Sequence, residues 1–214
     1  KTISLHNLKL AIKHPQLVGR GLNRFYYRFN RKLQQRQRLT TSKEWDNMFI
    51  LDACPFEMFR ETSELPGKLT KANSSASCTA EFLREEFHNR DMNDTVYITA
   101  NPMLSRKSDE IDVEFHQVVN VWNTAHWDKE LQTVPPKALS AEAQKISDDY
   151  PNKRIIVHFI QPHYPFIGEL GKSAFDFNSP ELSEGPSGLP FWMKIMINEI
   201  EVGDEKIYAS MKEN

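Results

Sequence analysis

Cysteine is scarce in this chain. Cys54 and Cys78 are the only two, too few for a disulfide framework and without the CxxC spacing of a zinc site. Glycine is sparse as well, at 8 residues, which excludes a collagen-like repeat. With 39% hydrophobic and 26% charged residues, wholesale disorder is excluded too. No stretch approaches the ~18 apolar residues of a membrane-spanning helix, and the N-terminus lacks the apolar core of a secretory signal. This stretch is therefore expected in the cytoplasm or peripheral to a membrane. P-loop, GxGxxG, HExxH and GxSxG motifs are all missing.

Acidic residues are missing from one region in particular. Between Lys1 and Lys43 there are eleven Lys or Arg and no Asp or Glu. The formal charge of the whole chain, −2, conceals this split. Such asymmetry reads as a basic arm on a mildly acidic domain, suited to an anionic membrane surface or an acidic patch on a partner. The near-neutral total makes a dedicated nucleic-acid binder the less expected reading. Solvated helical faces packing on the chain's own acidic domain would account for the arm equally well. Leu5, Leu8, Leu10, Ile12 and Leu17, then Leu22, Phe25, Tyr26, Phe29 and Leu33, recur at helical spacing. Two short amphipathic helices are expected there, interrupted at Pro15 and between Gly19 and Gly21.

What remains, residues 44–214, is long enough for one sizeable domain with its own core. Met48-Phe-Ile-Leu51 predicts a buried strand ending in Asp52. Pro55 then opens a helix from Phe56 to Thr62, and Leu65-Pro-Gly-Lys68 forms a turn. A small polar run, Ala72 to Thr79, leads into a helix from Ala80 to Phe87 with a hydroxyl-rich N-terminus. Strands are expected at Thr95–Thr99, Phe115–Trp122 and Arg154–Ile160, and helices at Ala138–Tyr150 and Pro190–Met211. Strands alternating with helices, several strands being continuous apolar runs, define an α/β fold: a mostly parallel sheet flanked by helices, with the basic helical arm at its N-terminus.

In open sheets of this class, ligands bind at the carboxyl ends of the strands. Asp52, Asn101 and His163 all follow strand ends, and Ser77 stands at the start of a helix. A serine hydroxyl is a weak nucleophile at neutral pH and needs a base or a metal to activate it; Asp52 suits that metal. The helix start adds unpaired N–H groups that favour an anionic tetrahedral group. Taken as isolated residues, the aspartate more often reads as a turn or helix cap and the serines as helix-capping groups, and His163 reads also as a loop histidine.

Five motifs together carry a resemblance. Trp45-Asp-Asn-Met-Phe-Ile-Leu-Asp-Ala-Cys54, Leu65-Pro-Gly-Lys-Leu-Thr70, Ser75-Ala-Ser-Cys-Thr-Ala-Glu-Phe-Leu83, Asp94-Thr-Val-Tyr-Ile-Thr-Ala-Asn-Pro102 and His158-Phe-Ile-Gln-Pro-His-Tyr-Pro-Phe-Ile-Gly168 resemble the sulfatase-like proteins of the alkaline phosphatase superfamily, in their archaeal and bacterial branch. In order and spacing the resemblance runs from about Lys9 to the C-terminus. It implies a metal-dependent hydrolase or transferase acting on phosphate or sulfate esters, with cell-envelope glycans or lipid-linked polymers as substrates. It also implies a divalent metal ion (Zn, Mg, Mn or Ca) held by Asp52 with Ser77, and Ser77 as nucleophile with Thr79 the second choice. Asn101 and His163 would bind substrate. Cys78 is a third choice for the nucleophile, but formylglycine formation needs Pro at +2 and Arg at +4, where this chain has Ala80 and Phe82.

Two departures from the family pattern stand out. After Asp52 the chain reads Ala53-Cys54-Pro55-Phe56-Glu57, without the arginine usual in this branch. The paired Asp-His metal ligands of the family's Ser-Asp-His-Gly type motif do not occur in the 214 residues. The expectation is either a fragment, the N-terminal portion of a longer enzyme, or a catalytically inactive member that binds an anionic glycan or lipid. Elsewhere, Asp112, Glu114 and His116 alternate along one strand face, more in keeping with a solvated edge than with a metal site. Trp122, His126, Trp127 and Asp128 suit either a carbohydrate-stacking surface or the rim of the core.

Overall fold

The structure, a computed structural model, describes residues 44–175 and 203–214, together with single positions at 12, 15, 19, 22, 26, 194 and 195. Of the basic arm only the single positions 12, 15, 19, 22 and 26 are described, each helical, Pro15 and Gly19 included; the rest of its expected helices, and the first part of the helix expected from Pro190 apart from 194 and 195, lie outside the described residues. Backbone proximity divides the chain into two compact units, Gln37–Phe177 with Glu205–Asn214, and Lys1–Arg36 with Asn178–Asp204. The sheet belongs to the first.

That unit is α/β, with four parallel strands: β1 (Asn47–Asp52), β2 (Arg90–Thr99), β3 (Val113–Asn120) and β4 (Arg154–Pro162). Their order across the sheet is β1-β4-β2-β3, so β4 and β2 are central. Between the strands run α1 (Phe56–Thr62), α2 (Thr79–Phe87), α3 (Met103–Arg106) and α4 (Pro136–Asp149). After β4 come α5 (Glu169–Ala174) and α6 (Asp204–Glu213). No helix among the described residues is long and apolar enough to cross a membrane.

Central strands rich in β-branched residues bury both faces, because successive side chains point to opposite sides. On one side Val96, Ile98, Ile155 and Val157 pack against Leu139, Ala143 and Ile146 of α4, whose 4- and 3-residue spacing puts all three on one helical face. Pro136 opens α4 at a first-turn position that lacks no needed N–H. On the other side Tyr97 and Ile156 pack against Leu83 and Phe87 of α2 and Leu104 of α3. Phe87, Tyr97 and Phe115 form a closed aromatic triangle: Phe87 meets Tyr97 and Phe115 edge-on at centroid distances of 5.9 and 5.4 Å, and Tyr97 stacks on Phe115 at 5.0 Å. This three-way contact locks α2 onto β2 and β3, and thereby fixes where the start of α2 meets the sheet.

Several elements differ in extent from the sequence expectation, β2, β3 and α4 among them; the last helix, expected to end at Met211, runs to Glu213. β2 begins at Arg90 rather than Thr95, because Arg90, Asp91 and Met92 pair with Val113, Glu114 and Phe115 through their backbones while Asp91 stays exposed. β3 ends at Asn120, and Val121–Asn123 close into a 3-10 turn. α4 begins two residues earlier than expected, at the proline.

Candidate active site

The carboxyl ends of β1, β2 and β4 and the start of α2 meet at Asp52. The chain leaves β1 through Ala53 in the left-handed region, at φ 58°, a conformation that costs a non-glycine residue energy and persists where surrounding contacts enforce it. Strand pairing also slips here, Leu51 opposing Phe159 but Asp52 opposing Pro162. The half-buried Asp52 carboxylate is thus set just past the last regular pair.

Asp52 Oδ2 accepts two hydrogen bonds. Thr79 Oγ1, on the first residue of α2, donates from 2.9 Å, and Asn101 Nδ2, just after β2, donates from 2.9 Å. Asn101 is itself fixed: its Oδ1 accepts from Met103 N at 2.9 Å, which directs the amide nitrogen to Asp52. Its backbone N–H donates to Thr99 Oγ1 at 2.9 Å, and that hydroxyl donates back to the Asn101 carbonyl at 3.0 Å. One carboxylate oxygen therefore ties β1, α2 and the β2 loop together.

His163 joins through its backbone. Its N–H donates to the Asp52 carbonyl at 3.2 Å and to the Ile160 carbonyl at 3.0 Å, while ring Nδ1 lies 2.7 Å from the Tyr164 carbonyl. The Asn214 amide donates to the carbonyls of His163 and Pro165 at 3.1 and 3.2 Å, pinning this loop from the end of α6. Ser77 is placed otherwise: its hydroxyl donates to Glu81 Oε2 at 3.1 Å, one turn along α2. Of the residues expected at the site, Asp52, Thr79 and Asn101 converge by their side chains, His163 by its main chain, and Ser77 is bonded to Glu81.

Beneath the site lies a pair with no part in the sequence expectation. His158 on β4 and Tyr97 on β2 are almost fully buried, with Tyr97 Oη 2.5 Å from His158 Nδ1. The signal in the sequence was a single imidazole inside the apolar run Ile155-Ile-Val-His-Phe-Ile160. Burial lifts the Tyr97 phenol above its ordinary range, a change that the nearby Asp52 charge reinforces. Burial also pushes the His158 imidazole down to about 4, against the attraction of Asp52 for its charged form. The unfolded chain takes up this proton near pH 6.5, the folded chain near 4. The unfolded state therefore binds more protons between those values, and stability falls as pH is lowered through that window. The expected loss is roughly 3 kcal/mol, seen as a drop in the denaturant midpoint between pH 7 and pH 4. His158→Gln should flatten that part of the profile; an unchanged slope in the variant would assign the loss to other groups.

Among the described residues no group of three or more His, Cys, Asp or Glu converges. The donors that do meet are oxygens, the Asp52 carboxylate and the Thr79 hydroxyl. They fit part of the shell of a hard cation such as Mg²⁺, which binds through one or two carboxylates and completes its shell with water and substrate phosphate. They do not resemble the nitrogen and sulfur set of a zinc site. Asp112, Glu114 and His116 lie on or beside the exposed face of β3, with the His116 ring edge-on to Tyr150 at 5.4 Å. Trp122 and Trp127 pack, partly buried, against the α4-side core. Comparison with family models, curated proteins and solved structures found no match for this chain.

Proposed function

We propose that the Asp52–Thr79–Asn101 cluster is the reaction centre of a hydrolase or transferase acting on phosphate or sulfate esters, with Thr79 as the attacking hydroxyl. The observation that carries this reading is the 2.9 Å hydrogen bond from Thr79 Oγ1 to Asp52 Oδ2. A hydroxyl beside a carboxylate at the carboxyl edge of a parallel sheet supports a role as nucleophile. The motif resemblance supports the same substrate class, with Thr79 as its second choice of nucleophile after Ser77.

Thr79 attacks phosphorus or sulfur through Oγ1, forming a new ester bond while its hydroxyl proton passes to Asp52. The bond to the leaving alkoxide breaks, and that oxygen takes a proton from solvent to depart as an alcohol. Water, or an acceptor hydroxyl in a transferase, then attacks the same centre and gives up a proton to solvent, while the bond to Thr79 Oγ1 breaks and Asp52 returns its proton to that oxygen. N–H groups at the start of α2, a nine-residue helix, face the negative charge that builds on the non-bridging oxygens. Asn101 holds Asp52 in place throughout. A divalent ion bound by Asp52 and Thr79 would supply charge neutralisation and a lower hydroxyl pKa.

Release of nitrophenol by the full chain from nitrophenyl phosphate and nitrophenyl sulfate, with Mg²⁺, Mn²⁺, Ca²⁺ or Zn²⁺ added in turn, tests the reading. Turnover of one ester is expected, highest with a hard cation, and Asp52→Ala should lower kcat by about a hundredfold or more. Saturable phosphate binding without turnover under every condition would point instead to a non-catalytic binding protein.

A further inference from the structure

Five described positions of the basic arm, Ile12, Pro15, Gly19, Leu22 and Tyr26, are all helical and all exposed. None of them carries a charge. At about 100° per residue, their steps of three and four residues fall within one sector of about 80° on a helical projection. Ile12, Leu22 and Tyr26 in that sector are 77, 66 and 61% exposed. A single exposed leucine is ordinary, but apolar side chains aligned along one exposed helical face mark a surface that meets a partner.

Charge selects the partner. Between Lys1 and Lys43 there are eleven Lys or Arg and no Asp or Glu. Projected at the same pitch, the sequence sets Lys9, Lys13, Arg20, Arg24 and Arg31 in a sector of about 60° beside the apolar one. The compact unit of Lys1–Arg36 with Asn178–Asp204 stays basic as a whole, with ten Lys or Arg against five Asp or Glu. Nucleic acid would use these cations but gives aliphatic side chains on the face beside them no role. An anionic bilayer uses both, because an interfacial helix buries its apolar face about 5–10 Å into the head-group boundary while Lys and Arg meet lipid phosphates. We infer that this segment docks on an anionic lipid bilayer. Ile12 and Leu22 enter the acyl boundary, Tyr26 sits at head-group level, and the basic side chains contact the lipid phosphates.

The test floats the full chain with vesicles of phosphatidylcholine alone and of phosphatidylcholine mixed with phosphatidylglycerol. Binding to the anionic vesicles is expected to be about tenfold tighter or more. It should weaken as NaCl is raised from about 0.1 to about 1 M, which shortens the screening length from about 10 to about 3 Å. Ile12→Gln combined with Leu22→Gln removes the aliphatic groups without changing charge, and should weaken binding about tenfold or more. Leu65→Gln removes a leucine of the sheet-bearing unit that is just as exposed, at 76%, and should leave binding unchanged. Circular dichroism and Tm show that each variant is folded. The inference is overturned if neither vesicle binds, if both bind equally, if salt has no effect, or if the double variant binds like the parent. It is also overturned if Leu65→Gln costs as much as the double variant, or if duplex DNA at equal phosphate concentration displaces the chain from the vesicles. None of these results depends on ester turnover, so failure here and failure of the Thr79 reading are separately visible.

Discussion

If the proposed chemistry holds, Thr79→Ala is expected to abolish ester turnover, by about a thousandfold or more in kcat, while Ser77→Ala is expected to stay within about threefold of the parent. The two residues are two positions apart and chemically alike, so the contrast rests on geometry. Thr79 is the first residue of α2 and donates to Asp52, whereas Ser77 precedes the helix and donates to Glu81. Removing Thr79 deletes the oxygen proposed to attack; removing Ser77 deletes a hydrogen bond at the helix entry, worth about 1 kcal/mol of stability. Thr79→Ser restores a hydroxyl at the same place and should recover much of the activity. Initial rates at saturating ester, with Tm measured alongside, separate loss of chemistry from loss of fold. Equal damage from both alanine variants would move the nucleophile or remove the idea.

Phe87→Ala destabilises the sheet-bearing unit by about 3–5 kcal/mol. Phe87 is fully buried and touches both Tyr97 and Phe115 edge-on. The neighbours are ring systems on two strands and cannot collapse into the space, so the cavity term adds to the lost burial. In a unit of this size Tm should fall by roughly 10 °C. Glu114→Ala, on the exposed face of neighbouring β3, should stay within about 0.5 kcal/mol. Urea denaturation of the two variants side by side measures the difference. Because α2 carries Thr79 at its other end, Phe87→Ala should also lower turnover at temperatures well below its Tm.

Much of this architecture was readable from residue pattern. Met48 to Leu51 announced β1, Pro55 announced α1 to within a residue, and the runs Thr95–Thr99 and Arg154–Ile160 announced the two central strands because both their faces are apolar. Polar Arg90 to Asp94 gave no such signal: that part of β2 is held by backbone pairing with β3, which leaves no trace in side-chain hydrophobicity. α3 and α5, at four and six residues, are too short to show a helical period.

For the site, Asp52 and Asn101 stood out because each follows a strand end in an α/β pattern. The choice between Ser77 and Thr79 was not legible. In the run Ser77-Cys78-Thr79 every candidate has a plausible side chain, and the outcome depends on which residue starts the helix facing β1. A shift of one residue turns a helix by about 100°, so an uncertainty of a residue or two in the helix start, ordinary for such boundaries, exchanges the hydroxyl that meets the carboxylate. His158 and Tyr97 were hidden for the opposite reason, being embedded in runs that already read as core.

The central claim, that Thr79 becomes transiently esterified, is tested most directly by acid-quenching the full chain during turnover of nitrophenyl phosphate or sulfate and mapping the modified peptide by mass spectrometry. A phosphoryl or sulfuryl group on Thr79, absent from Thr79→Ala, is the result this account predicts. The same group on Ser77 or Cys78, or turnover with no covalent adduct under single-turnover conditions, would contradict it.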